Sequence, residues 1–215
     1  MGYITLLEKG TAEFTIQRSR FIAQAAPAAD EAAAQAFLQS VRKKYYDARH
    51  NCSAWVLGAD GSRQRSSDDG EPGGTAGMPI LEVIRRRGVT NCVVTVTRYF
   101  GGIKLGAGGL TRAYSHAAAI GLDAAVFAEV QTRRRLAVTV SYPLLDPLER
   151  WCRQNHIRVE DTLYTETATL TLLIDPADDE GTRAALTDLT AGSAKIESRG
   201  ETEVVEALEK NGAVD

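Results

Sequence analysis

The sequence predicts an α+β protein of two domains, the second with the β-α-β-β-α-β order of a ferredoxin-like sandwich. Three observations carry this reading. A chain of 215 residues has room for two domains of about 100 residues each. Segments that alternate apolar and polar residues are interleaved with segments whose apolar residues recur at helical spacing. From Gln131 onward the interleaving becomes regular: strand, helix, strand, strand, helix, strand. The boundary is placed near Gln131–Arg134. This gives a first domain over 1–130, a second over 131–206 and a frayed tail over 207–215.

In the first domain, Ala12-Glu13-Phe14-Thr15-Ile16 alternates and reads as a strand, with Arg20 to Ala26 as its hairpin mate. Asp30 starts a helix whose Ala34, Phe37, Leu38 and Val41 keep one apolar stripe, and Lys43 and Lys44 suit its negative end. Cys52 to Leu57 is a strand, followed by a long polar, glycine-rich loop from Gly58 to about Gly77. A short helix then runs from Pro79 to Arg87 and stops at Gly88. Asn91 to Thr97 is a near-continuous apolar run, as expected of a central strand. A second glycine loop, Gly101 to Gly109, leads into a helix from Leu110 to about Val126, rich in the small residues that allow close packing on a sheet.

In the second domain, Leu136, Val138, Val140 and Tyr142 alternate as a strand. Asp146-Pro147-Leu148-Glu149 has the form of a capped helix start with proline in the first turn. That helix buries Leu148, Trp151 and Cys152. Strands around Ile157–Tyr164 and Thr167–Ile174 follow. Asp175-Pro176 repeats the cap and starts a helix that ends by Gly192, and Ala194 to Glu203 is the last strand.

Composition narrows the function classes. No run of about 18 apolar residues is present, so no membrane-spanning helix is expected. The first residues have neither the apolar core of a secretion signal nor the Ser or Thr that favours myristoylation. The cysteines, Cys52, Cys92 and Cys152, are odd in number and form no C-x-x-C, as expected in the reducing cytoplasm. Net charge is −3, but residues 1–130 carry 15 Lys and Arg against 12 Asp and Glu, and the remainder 10 against 16. A polyanion should therefore meet the first half, through a local patch.

The stretch Thr97-Arg98-Tyr99-Phe100-Gly101-Gly102-Ile103-Lys104-Leu105-Gly106-Ala107-Gly108-Gly109-Leu110-Thr111-Arg112 is the strongest candidate for that patch. Its glycines let backbone N–H groups approach a ligand, the following helix start attracts anions, and Arg98, Lys104 and Arg112 add charge. It matches neither a Walker A loop nor a dinucleotide fingerprint. In the acidic turn Ser66–Gly77 a solvated turn is the first expectation; Asp68 or Asp69 structuring the loop by accepting backbone N–H groups ranks ahead of Asp68, Asp69 and Glu71 holding a divalent cation. His50, Asn51 and Tyr99 are expected to support the same region. No nucleophile elbow, zinc motif or second metal-ligand pair is present, so no metal and no cofactor is expected.

Together these motifs resemble the YigZ/IMPACT family. The resemblance rests on Ser19-Arg20-Phe21-Ile22, Asp47-Ala48-Arg49-His50-Asn51-Cys52, Asp68-Asp69-Gly70-Glu71-Pro72 with Gly74-Thr75-Ala76-Gly77, and Thr97 through Leu110, across residues 3–128. It implies a first domain with the fold of the second domain of a small-subunit ribosomal protein, and a domain pair like the last two of elongation factor G. It also implies eukaryotic relatives that act in translational control through a general-control kinase and its activator, but these carry an extra N-terminal domain not expected here, so that partnership is not carried over to this chain. Proline dipeptidase activity, a label given to such proteins, finds no metal-ligand set here. The leading expectation is a non-enzymatic RNA- or ribosome-binding protein in translation or its regulation, with no membrane partner. The alternative is a phosphate- or nucleotide-binding protein or enzyme that uses Gly101–Gly109. A protein-docking role for the acidic second half is a third.

Overall fold

The computed structural model describes Gly2–Leu208. Contacts divide it into two compact units, one of Gly2–Val130 together with the chain from Val205, the other of Gln131–Val204. The elements are β1 (Tyr3–Glu8), β2 (Gly10–Ile16), β3 (Ser19–Pro27), α1 (Glu31–Lys44), β4 (His50–Leu57), β5 (Arg63–Ser67), α2 (Gly77–Arg86), β6 (Cys92–Tyr99), α3 (Gly106–Asp123), β7 (Val126–Val140), α4 (Leu145–Gln154), β8 (Arg158–Tyr164), β9 (Ala168–Ile174), α5 (Asp179–Leu189) and β10 (Lys195–Ala207).

The first unit is built on an antiparallel sheet of order β2-β3-β6-β4-β5. β6 is its middle strand. Cys92, Val94 and Val96 face a core shared with Ile80 and Ile84 of α2 and Tyr114, Ala117 and Leu122 of α3. Val93 faces the opposite way, toward Ala34 of α1 and Trp55 and Leu57 of β4. Both faces are covered, which is why β6 reads as a nearly unbroken apolar run. α3 sits close to the sheet because its contact residues are small: a Cβ on Gly121 would stand 2.8 Å from that of Ala23. α1 begins as expected, with the Asp30 carboxylate accepting from the Ala33 N–H.

In the second unit the strand order is β10-β7-β9-β8, with β7, β9 and β8 antiparallel. Leu136, Val138 and Val140 of β7 and Leu170 and Leu172 of β9 bury one face against Leu148 and Cys152 of α4 and Leu186 of α5. This is the ferredoxin-like arrangement.

Several boundaries differ from the sequence reading. β1 was not anticipated; it pairs with the first part of β7, Tyr3 opposite Val130. The loop after β4 contains β5, an edge strand of Arg, Gln and Ser whose polar composition hides it and whose only strand partner is β4. α3 starts four residues earlier than Leu110, at Gly106, and stops at Asp123. Asp146 is not a cap: it lies inside the first turn of α4, and the capping position, Leu144, makes no side-chain bond. β10 extends through Ala207, and the Leu208 N–H donates to the Phe127 carbonyl at 2.9 Å. The rest of the expected tail lies outside the described residues.

Candidate nucleic-acid interface

Strand register brings four connections to one end of the first unit's sheet. His50 opens β4 opposite Arg98 near the end of β6, Tyr99 stands opposite Arg20, and Ser19 closes the two-residue β2–β3 turn against Ile16. The α1–β4 link, the turn, the acidic loop and the glycine loop therefore share this rim.

The acidic residues of the rim are turned inward. Asp68 accepts from the Ala76 and Gly77 N–H groups at 3.0 and 2.8 Å through one oxygen and from Gly74 at 2.9 Å through the other. Burial works against ionisation, but these three donors outweigh it and hold the carboxyl below the ordinary Asp range. Asp69 accepts from the Asn51 N–H at 2.7 Å and meets Arg42 at 3.2 Å. His50 Nδ1 lies 2.8 Å from the Asp69 carbonyl, and the Cys52 thiol, pushed up to about 12 by burial, donates to the Asp68 carbonyl. Asn51 accepts from Thr97, and the Tyr99 hydroxyl donates to Asp47. Asp68 and Asp69 are thus loop-structuring residues. Among the described residues no three His, Cys, Asp or Glu side chains are grouped to hold a metal.

Arg98 departs from its expected role. It is 5% exposed and pairs with Glu71 at 2.7 Å. It reaches the Ser19 hydroxyl at 3.4 Å, and its guanidinium lies between the Phe21 and Phe100 rings. The Tyr114 hydroxyl, its pKa raised chiefly by burial, donates to the same Glu71 oxygen at 2.8 Å. A charge so enclosed cannot reach a polyanion. Through Arg98 and Tyr114, Glu71 instead ties the acidic loop to β6 and α3. The spacing of Arg98 within its motif could not reveal this; its place on the core-facing register of β6 could have.

The glycine loop divides the same way. The Gly101 N–H donates to Ser19, and a Cβ there would lie 2.0 Å from the Arg18 carbonyl carbon. This glycine serves close packing. Gly102 and Gly106 have positive φ, with open space where a Cβ would stand. Gly108 faces the Arg112 guanidinium, and Gly109 packs on Leu105. α3 begins without any side-chain cap. Lys104 and Arg112 are exposed and make no ion pair among the described residues.

They are joined by cations that the motif reading missed. Arg18 in the β2–β3 turn, Lys43 in the last turn of α1 and Arg49 before β4 are also exposed and unpaired. Tyr46, Phe100 and Ile103 lie exposed on the same connections. Phe100 and Ile103 belong to the glycine-rich stretch read from sequence; the signal for Arg18, Lys43, Arg49 and Tyr46 is their place beside strand ends, visible once the register is known.

The sequence profile of the Impact N-terminal domain matches residues 17–122, and that of a domain of unknown function (DUF1949) matches residues 138–193. The IMPACT family member YvyE of Bacillus subtilis (strain 168) is 37% identical over 195 residues, 91% of this chain and 90% of its own length. The IMPACT family member YigZ of Escherichia coli (strain K12) is 37% identical over 188 residues, 84% of this chain and 90% of its own. A hypothetical protein of known crystal structure is 33% identical, with a TM-score of 0.60 over 91% of this chain and 96% of its own.

Proposed function

The chain belongs to the IMPACT family, and from that premise we propose that it is a non-enzymatic RNA- or ribosome-binding protein of the cytoplasm, acting in translation or its regulation through the rim of its first unit. One observation carries the reading. Arg18, Lys43, Arg49, Lys104 and Arg112 stand exposed without an acidic partner, at a rim where Asp68 and Glu71 are occupied by backbone and buried groups. Such a surface attracts a phosphate backbone by releasing its counterions, whatever the sequence. Burial pushes the Cys52 and Cys92 thiols up to about 12, so neither is an activated nucleophile.

The test is binding of RNA and of ribosomes to wild type and Lys104→Glu across a salt series. Among the described residues Lys104 makes no hydrogen bond or ion pair, so the fold should survive. Affinity should fall alike for all sequences, and the salt slope should drop by about 1. An unchanged affinity and slope in a folded variant overturns the proposal.

A second reading is favoured by the uncapped start of α3, with Gly106 and Gly108 leaving its first turn open and Arg112 folded toward it. A small phosphate ligand would suit it. Inorganic phosphate or a nucleotide would then raise Tm in wild type but not in Arg112→Ala, and Lys104→Glu would leave RNA affinity unchanged.

A further inference from the structure

The cations of the rim are suited to any phosphate backbone, but the rings among them are not. Tyr46 is 85% exposed, and among the described residues no large apolar side chain is more exposed. It has no bonding or ring partner. Phe100 is 43% and Ile103 42% exposed. Phe100 carries the Arg98 guanidinium 5.4 Å from its ring centroid, and Arg98 is fixed by Glu71. The ring is therefore held on a buried support, so little of its freedom remains to be lost on binding.

Scattered exposed apolar residues need no explanation. Here they are gathered on the connections that carry the unpaired cations. In a duplex the base faces are stacked on one another and unavailable to protein rings. In a single strand each base offers a face, and rings between cations are how proteins hold it. Resting on the RNA reading above, we infer that the rim binds single-stranded rather than duplex RNA, with bases stacking on Tyr46 and Phe100 while Arg18, Arg49 and Lys104 follow the phosphates.

The experiment measures binding of a mixed-sequence RNA of about 12 nucleotides, within the span such surfaces cover, alone and annealed to its complement. The proteins are full-length wild type, Tyr46→Ala, Phe100→Leu and Lys104→Glu, with Tm recorded for each. The single strand should bind about tenfold or more tightly than the duplex. Tyr46→Ala should weaken single-strand binding about tenfold, consistent with one lost stacking contact. It should leave duplex binding and the salt slope as they were, because no charge is removed. Duplex binding equal to or tighter than single-strand binding overturns the inference. So does single-strand affinity unchanged in both ring variants. If Lys104→Glu still weakens both forms in those cases, the RNA reading itself stands. If no form of RNA binds wild type, both fall.

Discussion

Arg98 illustrates how the same side chain is read differently once its neighbours are placed. In sequence it is a cation beside a glycine loop; in the fold it is half of an enclosed ion pair. Removing one partner of such a pair strands the other, which costs about 3–5 kcal/mol. Arg98→Met and Glu71→Gln should each lower unfolding free energy by that order in urea titrations, and any variant that stays folded should keep the wild-type salt slope of RNA binding. Asp68 gives a pH-dependent counterpart. Its folded pKa lies below the ordinary value, so the stability it contributes is present above the unfolded pKa of about 3.9 and is lost as pH falls through the folded one. Urea midpoints should decline on acidification from pH 5 to 3, and less steeply in Asp68→Asn. Roles such as these were only partly legible in the sequence. The loop-structuring use of Asp68 follows from Asp and Gly turn chemistry, whereas the partner of Arg98 depends on which β6 residues face the core.

At the scale of elements, the β2–β3 turn is the least relaxed part of the rim. Gln17 and Arg18 both adopt positive φ, 44° and 64°, in a two-residue hairpin turn that favours Asn-Gly. Non-glycine residues in this region carry strain, on the order of 1 kcal/mol each. Replacing the pair by Asn-Gly should raise stability by about 1–2 kcal/mol and, by deleting the Arg18 charge, weaken RNA binding. Thermal melts and binding isotherms on one preparation check both halves of this expectation, and a variant that is stabilised without losing affinity would release Arg18 from the surface. The helical apolar stripe of α1 and the near-continuous apolar run of β6 made both readable in advance. β1 and β5 were not, because a strand at a sheet edge takes its identity from its neighbour: β5 has almost no apolar residues, and β1 is defined by pairing with a strand more than a hundred residues away.

For the whole molecule, a net charge of −3 gives no general attraction for a polyanion. If each of the five unpaired rim cations meets one phosphate of a single strand, log affinity should fall with log salt at a slope no steeper than about −3.5. A steeper measured slope would mean that cations beyond the rim take part. The chain's own path has a further consequence. β1 lies on one side of β7, with Leu6 level with Phe127, and the Leu208 N–H bonds the Phe127 carbonyl. Leu6 of the first strand and the last described residue, Leu208, thus flank the same residue of β7. Circular permutation should exploit this. Joining Gly2 to Leu208 by a flexible linker and reopening the chain between Thr165 and Glu166 should leave the fold intact, because the cut falls in the exposed β8–β9 turn.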